Sequence, residues 1–201
     1  MIHPRTLKSI TILLELKAAC FDLLLRDHKL PALLNLYAFI DICAALSKER
    51  RMSNRETFES YLRRFSTWRW DRYTPYDLWA ARSSLLHSYS PLGDHTGKPN
   101  GAKPIFYFAR PETESQVRAL LQTDGYRDFL VIDIVEIKLL AVDAFNALYR
   151  ELEQDALFEA VFMKNAEHLL SDAHHLLLER ELEAMKQVID AAQRKGASTD
   201  G

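Results

Sequence analysis

The chain has 201 residues, 48% of them hydrophobic and 27% charged, a composition that suits one globular domain with a substantial core. Only 6 Gly and 7 Pro are present, which argues against a turn-rich all-β fold, and two cysteines exclude a disulfide-dense scaffold. A net charge of -2 excludes a uniformly basic surface, so any attraction for polyanions must be local.

The first half of the chain is predicted to be helical. Apolar residues at helical spacing predict helices over about 6–26, 31–46, 54–65 and 75–90. Pro31 suits the first position of the second helix, with Lys29 to Pro31 ending the first. Two capping boxes, at Ser53–Glu56 and Thr74–Asp77, indicate where the third and fourth helices begin.

The amino-terminal apolar run is interrupted by Glu15 and Lys17 before it reaches membrane-spanning length. We therefore expect no signal or transmembrane segment, and a cytoplasmic protein. Cys20 and Cys43 lie within apolar helical patterns and are predicted to be buried free thiols.

The pattern changes after Gly93, where residues 93–103 are rich in Gly, Pro, Asn and Asp and are predicted to form an exposed loop. In chain order there follow a predicted strand at 104–109, a short helix at 114–122, a strand at 129–134, and helices over 135–153, 156–170 and 173–193. The predicted fold is mainly α, one domain over 1–201, with a small two-stranded β insert at about 103–134.

Basic residues are concentrated in one segment, 48–82, which has nine basic and five acidic side chains and thus carries +4, leaving the remainder at -6. Such a segment can bind phosphate or can be a solvated helix face. Its aromatic residues offer stacking surfaces for bases: Trp68, Trp70, Tyr73 and Tyr76. Within it, Arg63, Arg64, Arg69 and Arg72 are predicted to contact RNA.

The fourth predicted helix contains the motif R-x4-H-x-Y, formed by Arg82, His87 and Tyr89. Metal-free RNA cleavage needs groups that accept and donate protons and a cation for the phosphorane, roles that His and Arg can fill. The alternative is a surface or interface arginine and a histidine stabilised by the helix dipole.

Helical geometry argues against a site made by one helix alone. Arg82 and His87 are separated by about 140° around the helix and about 7.5 Å along it, whereas Arg82 and Tyr89 nearly eclipse each other. A twofold dimer would bring two arginines and two histidines together. We therefore predict a homodimer with a composite site.

The motif resembles the R-x4-6-H signature of the HEPN superfamily, in the R-x4-H-x-Y form of toxins paired with minimal nucleotidyltransferase antitoxins. The resemblance covers mainly residues 6–90 and implies an antiparallel helical bundle, a dimeric site and RNA as substrate. It implies catalytic roles for Arg82 and His87, and a Tyr89 hydroxyl that positions the site or is modified by a partner nucleotidyltransferase. The β insert is not part of the minimal HEPN bundle.

Two further residues bear on this site. Ser83 stands where many HEPN nucleases have Asn, Asp or His, and is a weaker partner for the arginine. Asp41, on the second predicted helix, could orient Arg82 as an early acidic residue does in some HEPN proteins. The simpler interpretation is an aspartate that faces solvent.

The histidines near the end of the chain, His168, His174 and His175, have no carboxylate or Cys at ligand spacing and are interpreted as surface residues. We predict no metal site and no cofactor. The leading hypothesis is a metal-independent endoribonuclease of HEPN type, a toxin or defence component, with an antitoxin or nucleotidyltransferase as partner. The alternatives are a non-catalytic HEPN-type module that binds RNA or nucleotide, and a helical protein-interaction subunit.

Overall fold

The fold is mainly helical, with a two-stranded parallel sheet. The structure, a computed structural model, describes residues 2–88, 90–96, 101–110 and 113–170. The helices are α1 Pro4–Leu25, α2 Lys29–Ser47, α3 Asn54–Phe65, α4 Pro75–Ser88, α5 Glu114–Thr123, α6 Ile134–Gln154 and α7 Ala156–Leu169, and the strands are β1 Ile105–Phe108 and β2 Leu130–Asp133. The helix predicted over 173–193 lies outside the described residues.

The boundary between α1 and α2 differs from the prediction. Helix α1 ends at Leu25, a three-residue turn follows in which Asp27 has φ 60°, and α2 begins at Lys29 rather than at Pro31. Pro31 is therefore the third residue of α2. A proline is tolerated there because the first amides of a helix have no intrahelical acceptor.

Helix α2 lies at the centre of the fold and packs against α1, α3, α6 and α7. Its side chains Leu36, Tyr37, Phe39 and Ile40 are almost fully buried. Among the described helices, only α2 is long and apolar enough to cross a membrane, and 56% of its most apolar window is buried within this fold. A core helix of a soluble protein has the same composition, so α2 is compatible with a soluble protein.

The sheet is a β-α-β unit in which β1 and β2 are parallel, with Ile105 paired to Leu130 and Phe108 to Asp133. One face joins the helical core through Ile105 and Ile132, and the other packs with α5 through Phe108 and Val131. The sheet is therefore part of the core.

The capping box predicted at Ser53 and Glu56 is confirmed at the start of α3. Asp133 and Asp155, which were not predicted as caps, cap α6 and α7. Cys20 and Cys43 are buried free thiols as predicted, and burial raises their thiol pKa to about 11 and about 12. Both thiols are therefore protonated at neutral pH and unsuited to nucleophilic chemistry.

Candidate functional site

Helix α4, which carries the motif, is fixed at its start by Asp77. Its Oδ2 accepts hydrogen bonds from the Thr74 amide at 2.7 Å and the Thr74 hydroxyl at 2.8 Å, as a capping box requires. Its Oδ1 accepts the Lys103 amide at 2.9 Å, just before β1. Asp77 is thus a buried structural residue that joins the start of α4 to the sheet.

Arg82 is paired with Asp41 of α2. Its Nε and Nη2 lie 2.6 Å and 2.5 Å from the same carboxylate oxygen, Oδ2, and the two side chains are 21% and 27% exposed. The interpretation of Asp41 as solvent-facing is therefore wrong. Its pairing with Arg82, 41 residues along the chain, orients the guanidinium between α2 and α4 while leaving it accessible at the surface.

The pair holds Arg82 in place more than it stabilises the fold. Burial raises the pKa of Asp41, and the neighbouring Arg82 lowers it by less. A carboxyl whose pKa is raised on folding adds stability below its unfolded-state pKa, and that contribution is lost as the pH rises through the raised value. Ionisation of Asp41 as the pH rises therefore removes stability from the fold.

We accordingly expect Asp41→Asn to change the free energy of unfolding at pH 7 by less than about 1 kcal/mol, the range of partly exposed ion pairs. The parent should also lose stability as the pH rises through the raised Asp41 pKa, and the variant should not. Urea unfolding of both proteins at several pH values between 4 and 8 measures this. A loss above about 3 kcal/mol at pH 7, typical of breaking a fully buried pair, would contradict it.

The other motif residues are only partly described. His87 belongs to the last turn of α4, one residue before the helix ends at Ser88, but its side chain and the whole of Tyr89 are outside the described residues. Ser83 is half-buried. The convergence of Arg82 and His87 therefore stays a prediction.

The end of α4 is closely covered by the loop that follows it. A Cβ added to Gly93 would lie 2.0 Å from the Ser84 hydroxyl oxygen and 2.9 Å from its Cβ. Only glycine permits this approach. The loop therefore fixes the buried side of α4 that carries Ser84, while the side that carries Arg82 and Ser83 is only half-buried.

The four arginines predicted to bind RNA differ in their surroundings. Arg64 pairs with Glu49 and, at 3.1 Å, with Glu151. Arg72 pairs with Glu136 at 3.1 Å and donates to the Val131 carbonyl at 2.9 Å. These two arginines connect elements of the fold.

Arg63 and Arg69 are less closely paired than Arg64 and Arg72. Arg63 lies 3.7 Å from Glu59 and is 55% exposed, and Arg69 is exposed. They remain the better candidates for contact with phosphate, since the Arg63–Glu59 contact is long, whereas Arg64 and Arg72 are each held by closer carboxylate partners.

Sequence reasoning named Tyr76 as a stacking surface for bases but missed the group that it forms with Arg55, Trp79 and His95. The guanidinium of Arg55 lies 4.0 Å from the ring centre of Tyr76, which stacks on Trp79, and Trp79 contacts His95. The available signal was the i, i+3 spacing of Tyr76 and Trp79, which places both rings on one side of α4.

An apolar groove of about 270 Å³ lies on the other side of α4, between α2 and β1. Leu33, Leu85 and Ile105 contribute to its lining. Lys29, Ser90 and Tyr107 are the polar or ionisable residues of its otherwise apolar lining.

No group of three or more His, Cys, Asp or Glu side chains suited to a metal ion occurs in the part of the chain that the structure describes. Comparison with protein-family models, with curated proteins and with solved structures finds no match to this chain.

Proposed function

We propose that the chain is a metal-independent endoribonuclease of HEPN type that acts in the cytoplasm as a homodimer. The observation that carries the proposal is the Arg82–Asp41 pair. It holds a partly exposed guanidinium on the motif helix, one and a half turns before His87. A guanidinium fixed by a carboxylate is preorganised to stabilise the charge that develops on a phosphorane.

The proposed reaction is internal transesterification of RNA. One His87 takes the proton of a 2'-hydroxyl, whose oxygen forms a bond to phosphorus. The P–O5' bond breaks, and the His87 of the second protomer gives a proton to the departing 5'-oxygen. The products are a 2',3'-cyclic phosphate and a 5'-hydroxyl. Arg82 stabilises the negative charge of the phosphorane that forms before the P–O5' bond breaks.

Tyr89 and Ser83 lie beside these residues in the sequence. In the regulatory form of the proposal, a partner nucleotidyltransferase attaches a nucleotide to the Tyr89 hydroxyl. The added nucleotide blocks access to Arg82 and His87, and its phosphate places negative charge where RNA phosphate must bind. An antitoxin of this kind is the expected partner of a toxin.

A second candidate function is a non-catalytic RNA-binding module. It is favoured by the Asp41 carboxylate, which already neutralises much of the Arg82 charge. The two candidates differ in a simple respect, because only the nuclease changes the length of the RNA that it binds.

Cleavage is expected to be independent of divalent metal, because the proposed chemistry uses only His and Arg. Single-stranded RNA of mixed sequence should be cut at the same rate in EDTA and in Mg²⁺ at matched ionic strength. Gel analysis of labelled RNA measures both rates. Activity that is abolished by EDTA and restored by a divalent ion would contradict the proposal.

A further inference from the structure

Four planar side chains lie in a row beside α4, and we call this row the stacking column. It consists of Arg55 of α3, Tyr76 and Trp79 of α4, and His95 of the loop that follows α4. The Arg55 guanidinium lies 4.0 Å from the Tyr76 ring centre. The Tyr76 and Trp79 planes are 15° from parallel, with ring centroids 6.1 Å apart. The His95 ring centroid lies 4.6 Å from that of Trp79, but the two planes are tilted by 53°, so His95 packs against the indole without stacking on it.

The column is held from both ends. Arg55 donates from Nε to Glu59, one turn along α3, at 2.7 Å, which sets the guanidinium over Tyr76. At the other end the tight approach of Gly93 to α4 places the loop that carries His95. Tyr76 and Trp79 are only half-buried, so the edge of the column is open to solvent.

Three donor groups of the column have no hydrogen-bond partner among the described residues. The Nη1 and Nη2 groups of Arg55 have no hydrogen-bond partner among the described residues, and its side chain is 50% exposed. The indole N–H of Trp79 is buried without an acceptor in the same part of the chain. Buried donors without partners are rare in folded proteins, and they occur where a ligand or water completes the site.

Arg55, at the end of the column, also lines a polar cleft of about 520 Å³ along α3. Arg50, Arg55 and Arg63 line it together with two serines, against Glu56 and Glu59. Planar aromatic groups beside unpaired guanidinium donors are the combination that binds single-stranded nucleic acid, since rings stack on bases and guanidinium groups contact phosphates.

We propose that the stacking column is a base-binding subsite for single-stranded RNA, an inference that rests on the proposed ribonuclease function and names how its substrate is held. A base takes the place of the Arg55 guanidinium on Tyr76, with Trp79 supporting the ring from behind. Arg55 then moves outward to the adjacent phosphate.

The position of the subsite fits a substrate that reaches Arg82. Tyr76 and Arg82 are six residues apart on α4, about 9 Å along its axis and about 120° around it. A strand that reaches both must therefore pass part-way around α4, with a few nucleotides between the base on Tyr76 and the phosphate near Arg82. The subsite therefore selects a flexible strand over a duplex, whose bases are stacked within the helix.

The test measures binding in EDTA, by fluorescence anisotropy, of labelled oligouridylate to protein carrying His87→Ala, which keeps the RNA intact. Adding Tyr76→Leu is expected to weaken binding by about 5- to 150-fold, the usual worth of one base–aromatic stack. With Tyr76→Phe in its place, the dissociation constant should stay within about twofold of that of the protein carrying His87→Ala alone. The control is Tyr126→Leu, which removes a half-buried tyrosine packed on Phe106.

Inorganic polyphosphate separates stacking from charge. Arg55→Ala should weaken the binding of both polyphosphate and RNA, whereas Tyr76→Leu should weaken the binding of RNA alone.

Equal RNA binding with and without Tyr76→Leu on the His87→Ala background, or no RNA binding at all, would overturn the subsite. A protein that binds RNA through Tyr76 but never cuts it would sink the ribonuclease function and leave the subsite standing. If Tyr76→Leu alone cleaves RNA at the parent rate at low substrate concentration, the subsite is wrong and the ribonuclease function stands.

Discussion

Replacing His87 with alanine is expected to slow RNA cleavage by about 10²- to 10⁴-fold, the usual contribution of a positioned acid or base. In the proposed dimer the substitution removes both proton-transfer groups at once, because each protomer supplies one. RNA binding should change little, since the imidazole is assigned to proton transfer and the phosphate contacts to arginine. The measurement is a single-turnover rate at saturating protein, together with a binding constant.

Folding should be unaffected by the same change. His87 lies in the last turn of α4 and its imidazole is predicted to be partly exposed, and surface substitutions usually cost less than about 0.5 kcal/mol. Thermal unfolding of parent and variant provides the control. A variant that unfolds at much lower temperature would favour a structural histidine, and one that folds and cuts like the parent would remove α4 from the chemistry.

Arg82→Ala is expected to slow cleavage by about 10²- to 10³-fold, as the loss of one preorganised charge-stabilising donor does. It should also weaken RNA binding, because a charge-assisted contact to phosphate disappears. Asp41 would then lie half-buried without a cation, which raises its pKa further. The rate and the binding constant are measured in the same assays.

Arg118 offers a matched control for this substitution. Its Nε and Nη2 lie 2.9 Å and 2.7 Å from one oxygen of Glu114, the same two-to-one geometry that Arg82 makes with Asp41. Arg118→Ala removes an equivalent ion pair on α5 and should leave cleavage unchanged. Equal losses of activity in both variants would show that the effect comes from net charge rather than from the site.

Some parts of this fold could be predicted because their signals are local. The capping boxes of Ser53–Glu56 and Thr74–Asp77 each satisfy helix amides within three residues, so the starts of α3 and α4 follow from short sequences. The predicted start of α2 was wrong because proline is acceptable at any of the first three helical positions, so Pro31 does not show which of them it occupies. The HEPN-like arrangement of the helices stays a prediction.

The candidate site was less predictable, because its contacts join distant parts of the chain. Asp41 and Arg82 are 41 residues apart, and Arg64 meets Glu151 across 87. Apolar periodicity shows which helix face is buried, but it does not show which charged residues meet across two helices. The stacking column depends in the same way on a loop residue, His95, that reaches α4.

End-group analysis of RNA incubated in EDTA with the parent and with His87→Ala, purified in parallel, decides whether α4 carries ribonuclease chemistry. We expect 2',3'-cyclic phosphate and 5'-hydroxyl ends from the parent, and at least about 100-fold fewer from the variant. Intact RNA with the folded parent, or the same products at the same rate with His87→Ala, would contradict this expectation.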